Sequence, residues 1–117
     1  MSNMKIKRIE THRVAIPLIK PFKTALRTVN TADSVIIKII CDNGIVGWGE
    51  APPTAVITGD TMGSIEAAIN EVMAPNLMHT DFSQYEQMLS IVQTAIVGNA
   101  SAKAAIDMAI YDCLSQL

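Results

Sequence analysis

Apolar and polar positions alternate through the first third of the chain. In RVAIPL (residues 13–18) Val14, Ile16 and Leu18 share one face and continue an earlier run through Ile6 and Ile9. That period of two is the signature of a β-strand. The phase shifts between Ile9 and Val14, which predicts a bulge near Thr11–His12. Pro17 has no N–H for a ladder and so belongs in an edge strand or at a strand's end. A second run, DSVIIKIICDNG, sets Val35, Ile37 and Ile39 against Ile36, Lys38 and Ile40. It closes in Asp42-Asn43-Gly44, a tight turn because Asn and Gly tolerate positive φ. IVGWGEA then returns as a third strand. Gly47 and Gly49 are unusual inside a strand and predict a backbone lying close over it.

Helical periodicity follows. PPTAVITGD (52–60) is a loop with two prolines and a glycine. Thr61 is the predicted N-cap, with Ser64 the second choice, of a helix carrying Ile65, Ala68, Ile69, Val72 and Met73 on one stripe. Pro75 is expected to end it. Asp81 or Ser83 caps a second helix with Tyr85, Met88, Leu89 and Val92 facing inward. VGNAS breaks the pattern, and Ser101 caps a third helix over residues 101–117. Strands first and helices after define an α+β fold, a three-stranded antiparallel meander followed by about three helices. In the last helix Ala104, Ala105, Ile106, Met108, Ala109 and Ile110 nearly encircle the axis. A helix apolar on most sides is buried on most sides. It also lacks a glycine or terminal cation to satisfy its last carbonyls, so further chain is expected to pack on it.

Composition narrows the class. The 117 residues fit one domain, half of them hydrophobic, and the net charge is −2. These values argue against disorder and against a basic surface for nucleic acid or anionic membrane. The charged start shows no secretory signal, and no apolar run is long enough to cross a bilayer. Cys41 and Cys113 sit in apolar runs and read as buried free thiols in a reducing compartment, so a cytoplasmic setting is expected.

Little catalytic chemistry is visible. His12 and His79 have no Cys, Asp or Glu at ligand spacing and read as structural or surface histidines. No paired His or Cys motif suggests a metal site. GWGE lacks the spacing of a phosphate loop, and Glu50 reads as a hydrogen-bonded carboxylate at a strand end. Asp107 and Asp112 interrupt the apolar helix and must be paired if buried, which makes them interface anchors rather than catalysts. The methionines at 73, 78, 88 and 108 read as core filler. KPFKTALRTVNTADS (20–34) is basic, Thr-rich, too long for a tight hairpin and free of tight-turn residues, and so reads as a flap between two strands. Its Arg27 offers a planar fork of donors suited to a carboxylate. On residue type alone a solvated loop arginine remains the leading reading.

The order of segments resembles the N-terminal capping domain of the enolase superfamily, muconate-lactonizing subgroup. The matching pieces are IPLIKPFKTALRT, SVIIKIICDNGIVGWGEAPP, ITGDT and SAKAAIDMAIYD. KPFKTALRT with GWGEAPPTAVITGD is most similar to the dipeptide epimerases of the L-Ala-D/L-Glu type. The resemblance implies that residues 1–117 cover the mouth of a (β/α)8 barrel absent from this chain. That barrel would carry the catalytic lysines and the carboxylates that bind Mg²⁺. No catalytic or metal-binding residue is then expected here, and the chain alone is expected to be inactive. The resemblance further implies two flaps that close over the substrate, with Phe22 and Arg27 in the first and Ile57, Thr58 and Gly59 in the second. Arg27 becomes the residue that meets an acidic dipeptide side chain, and Asp112 an interdomain hydrogen-bonding residue. Implied partners are the barrel, an acidic dipeptide and further copies in a homo-oligomer. The alternatives are a free-standing binding module on the same scaffold, or the capping domain of a muconate cycloisomerase or N-acyl amino acid racemase.

Overall fold

The computed structural model describes residues 4–23, 28–51, 61–96 and 98–117, with backbone alone at 15–23 and 28–33. Strands β1 (Ile6–Lys23), β2 (Thr28–Cys41) and β3 (Val46–Ala51) pair antiparallel in the order β1-β2-β3. This is the predicted meander. The turn between β2 and β3 is closed by bonds from Gly44 N to the Cys41 carbonyl and from Ile45 N to Asn43 Oδ1. Gly44 has φ 90°, the left-handed conformation for which the Asn-Gly pair was read.

Two strand expectations need correction. The register runs unbroken through Thr11↔Ile37 and His12↔Ile36, and the slip lies instead between Ile6 and Arg8, at Lys7. With it there, Ile6 and Ile9 both reach the buried face although they are three residues apart. Thr11 and Arg13 then share that face, and Val14 falls on the other. Sequence phase misplaced the bulge because polar side chains occupy the helix-facing side, where each meets a helix partner. The second correction concerns residues 20–34. The strands continue into this segment, with Phe22 opposite Val29 and Lys23 opposite Thr28, after a second slip between Pro17 and Phe22. β-branched Thr28, Val29 and Thr31 suit extended backbone, so this stretch lengthens a hairpin. Pro17 stands in an edge strand, as its missing N–H requires, but not at its end.

The helices lie on one face of the sheet. α1 (Met62–Ala67) starts at Thr61, whose hydroxyl accepts from Ser64 N at 3.0 Å while Ser64 Oγ accepts from Thr61 N at 2.8 Å. Both predicted caps thus serve one capping box. Pro75 does not end the helix. A π-helical segment (Ala68–Met73) follows α1, and α2 (Ala74–Leu77) takes Pro75 in its first turn. Ala74 N bonds back five residues to the Ile69 carbonyl. This wider turn ahead of Pro75 accommodates a ring that would collide with a regular α-helical carbonyl. Asp81 Oδ1 accepts from Ser83 N at 2.9 Å, heading a 3-10 turn (Phe82–Gln84) that leads into α3 (Tyr85–Thr94). Met88 and Val92 face the core, but Tyr85, in the first turn, is exposed. α4 (Ala100–Ser115) begins one residue before Ser101, after Asn99 at φ 58°.

One core joins the two layers. Val35, Ile37 and Ile39 of β2 meet Ile65, Ile69, Met73, Leu77, Met88, Ile106 and Ile110, all fully buried. Each such side chain contributes roughly 2 kcal/mol by leaving water. α4 lies directly on β3. A Cβ on Gly47 would overlap the Ala109 carbonyl and the Cys113 sulfur, and one on Gly49 would overlap the Ala105 carbonyl. The close backbone predicted over this strand is therefore α4 itself, with Ala102, Ala105 and Ala109 on the contact side.

Candidate functional site

The register places both loop-bearing segments at one end of the sheet. Ala51, the last residue of β3, pairs with Val35, next to Ser34 where β2 meets Val14 of β1. The β1–β2 hairpin therefore leaves the sheet body at the same end as the 52–60 segment. Phe22 lies in the backbone ladder of that hairpin. Arg27, Ile57, Thr58 and Gly59 lie outside the described residues, as does the side chain of Phe22. Phe22 lies along the hairpin beyond Ala51, since Val29 opposite it is six residues before Val35 opposite Ala51.

Three side-chain contacts brace this end. The Ser34 hydroxyl donates to Glu50 Oε1 at 2.9 Å, linking β2 to the last turn of β3 before the 52–60 segment. Ser34 is 7% exposed, so its hydroxyl needs such a partner. Arg13 Nε donates to Glu66 Oε1, and Asn70 Nδ2 donates to Thr11 Oγ1 at 3.0 Å. These two contacts fasten β1 to the helix that follows 52–60. Glu50 is the hydrogen-bonded strand-end carboxylate that the sequence suggested. Ser34, Arg13 and Glu66 carry no local signal in the sequence, because their partners are 16 or 53 residues away.

The histidines stay outside any acid–base constellation. His12 was read as lacking a nearby carboxylate, yet Glu10 Oε1 lies 3.3 Å from its Nε2, with Arg8 on the other oxygen at 2.7 Å. Alternation puts residues 10 and 12 on one strand face, so a spacing of two is enough to pair them. The cluster is exposed, and such pairs contribute about 0–1 kcal/mol. His79 has φ 64° in the turn that bonds the Ile6 carbonyl. It lines a polar cleft of about 330 Å³ with Lys5, Asp81 and Gln87, at the opposite end of the sheet. Among the described residues, no group of three His, Cys, Asp or Glu could hold a metal ion.

The outer side of α4 carries the remaining features. Met108 and Tyr111 are 50% and 54% exposed and, with exposed Ala104, form a stripe at helical spacing. Asp112 Oδ2 accepts from Trp48 N at 2.8 Å, and Gln116 Nε2 donates to the Val46 carbonyl at 2.7 Å. Asp112 on α4 and Gln116 at its C-cap thereby cover the free edge of β3. Asp107 Oδ2 accepts from Gln93 Nε2 at 3.2 Å, while its buried Oδ1 has no partner among the described residues. Burial pushes the Asp107 carboxyl above its usual value, partly offset by the Gln93 bond.

The N-terminal domain of the mandelate racemase / muconate lactonizing enzyme family matches residues 7–117. The chain belongs to that family. It is 60% identical to the L-Ala-D/L-Glu epimerase of Bacillus subtilis (strain 168) over 114 residues, 97% of this chain and 31% of the relative. It is 34% identical to the hydrophobic dipeptide epimerase of Enterococcus faecalis, covering 97% of this chain and 32% of that protein. The structure of a substrate-liganded complex of the B. subtilis enzyme superposes with a TM-score of 0.92, covering 96% of this chain and 31% of that one. The E. faecalis dipeptide epimerase complexed with Mg and L-Leu-L-Tyr gives 0.88 at 32% identity, covering 96% and 31%. The chain thus spans about a third of the length of these relatives. Both the α+β architecture and the family resemblance read from KPFKTALRT and GWGEAPPTAVITGD are borne out.

Proposed function

We propose that residues 1–117 form the capping domain of a Mg²⁺-dependent dipeptide epimerase, closing its active site and selecting its substrate while being inactive alone. The observation that carries this reading is the 60% identity with the B. subtilis L-Ala-D/L-Glu epimerase across 97% of this chain. Proton transfer at the α-carbon would belong to a barrel outside these residues. Mg²⁺ would be held by that barrel, where it would stabilise the charge left when the α-proton departs.

This chain's own contribution is recognition and exclusion of water. Phe22 and Arg27 on one segment, and Ile57, Thr58 and Gly59 on the other, would contact the substrate from the end of the sheet where both segments arise. Shielding that contact from water strengthens electrostatics at the reacting carbon. Arg27 is proposed to meet the substrate's acidic side chain, a charge-assisted pair contributing about 2 kcal/mol. Met108 and Tyr111 would supply an apolar surface for the barrel, and Asp112, whose Oδ2 accepts from Trp48 N, would hydrogen-bond across the interdomain contact. The proposed setting is a cytoplasmic homo-oligomer. A sister reaction is the second reading, because a muconate lactonizing enzyme from Pseudomonas fluorescens superposes equally well, with a TM-score of 0.92 at 30% identity.

The test uses the protein in which this chain is joined to its barrel. It should exchange the α-proton of L-Ala-L-Glu for deuterium, whereas residues 1–117 alone should not. Arg27→Ala should raise KM for L-Ala-L-Glu by about 30-fold, the equivalent of 2 kcal/mol, and change KM for a hydrophobic dipeptide far less. Equal effects on both substrates would remove Arg27 from the specificity role. Exchange by the 117 residues alone would refute their inactivity.

A further inference from the structure

Cys41 and Cys113 are 72 residues apart in sequence, and their sulfurs lie 3.7 Å apart in the core. Both side chains are buried and both thiols are free. Each sits on a rigid element. Cys41 ends β2, its N–H bonded to the Ile45 carbonyl and its carbonyl to Gly44 N. Cys113 lies in the last turns of α4, its sulfur occupying the room left by the missing side chain of Gly47. A disulfide has sulfurs about 2.05 Å apart, so bonding needs an approach of under ~2 Å. Side-chain rotation with a small shift of the helix end covers such a distance. Neither thiol has a part in the capping role, and this inference does not depend on it.

We propose that Cys41 and Cys113 are a peroxide-responsive modification site, forming an intramolecular disulfide that staples the end of β2 to α4. One thiolate attacks hydrogen peroxide, forming an S–O bond as the O–O bond breaks and leaving a sulfenic acid and hydroxide. The sulfur of the second thiol then attacks the sulfenic sulfur. The S–S bond forms, the S–O bond breaks, and the departing hydroxide takes the thiol proton as water. In sum, two thiols and one peroxide give one disulfide and two waters. The oxidant must be small, because both sulfurs are buried and are reached through local opening. Burial raises both thiols above their usual values, and the charges of Asp42 beside Cys41 and Asp112 beside Cys113 act in the same direction. The scarcity of thiolate makes the reaction slow, so it responds to sustained exposure.

The experiment treats the barrel-bearing protein with hydrogen peroxide, quenches free thiols by alkylation in denaturant, and maps peptides without reduction. The expected product is a peptide pair joining Cys41 to Cys113, lighter by two hydrogens than the separate peptides and released by dithiothreitol. Cys113→Ser should abolish it while leaving α-proton exchange unchanged before oxidation. Separate sulfinic acids on the two cysteines, a link between two protein copies, or two unmodified thiols after an exposed thiol in the same tube is fully oxidised would each overturn the proposal. The wild-type map decides even if a variant fails to fold. A protein without epimerase activity would still give the linked peptides, so this inference and the capping assignment fail separately.

Discussion

Asp107 enters an apolar helix with one oxygen on Gln93 and the other buried without a partner among the described residues. Burial favours its neutral form, so its pKa in the folded chain lies above that in the unfolded chain. The folded chain then binds the proton more tightly, and stability from this group is full below the unfolded value of about 3.9. It is lost as pH rises through the folded value. Asp107→Asn, neutral throughout, should therefore raise the urea midpoint of residues 1–117 at pH 7, and the gap should close towards pH 4. A lower midpoint at pH 7 would mean that the charged carboxylate has a stabilising partner. At this scale the sequence disclosed what rests on neighbouring residues: the Thr61 cap, the Asn43-Gly44 turn and the Asp81 cap. It did not disclose Ser34–Glu50 or Arg13–Glu66, because nothing local in either strand specifies a partner 16 or 53 residues away.

Elements are governed by how closely they can approach. β3 and α4 meet backbone to backbone because Gly47 and Gly49 carry no side chains. Gly49→Ala should force α4 away from the sheet and cost about 2–3 kcal/mol, as overpacking does, measured as a lower urea midpoint. Gly63→Ala in α1 is the control. Its Cβ would be 3.7 Å from the nearest atom, Arg13 Nη2, and alanine favours helix, so the midpoint should hold or rise. An unchanged midpoint in Gly49→Ala would show that α4 can shift without cost. The same scale explains the boundary errors. Pro75 reads as a stop in any local rule, yet the π segment before it lets the buried stripe run on to Leu77. The bulge was misplaced because Thr11 and Arg13 sit on the helix-facing side, where alternation alone predicts apolar residues.

For the whole molecule, the outer stripe of α4 separates the stability of these residues from their attachment. Met108→Gln with Tyr111→Gln should change the stability of residues 1–117 by no more than about 0.5 kcal/mol each, since both side chains are half exposed. In the barrel-bearing protein the same pair should lower Tm by several degrees and weaken activity. No change there would remove the stripe from the interdomain contact. By itself the sequence determined the strands-then-helices order, the meander and its tight turn, the core stripe of the first helix and the family. Each of these is written in periodicity, in turn residues or in contiguous motifs. Only the tertiary structure decided the Lys7 bulge, the passage of the helix through Pro75, the covering of the β3 edge by Asp112 and Gln116, and the meeting of Cys41 with Cys113. Those depend on which distant groups share a surface once the helices settle on the sheet, and a one-dimensional pattern cannot encode that.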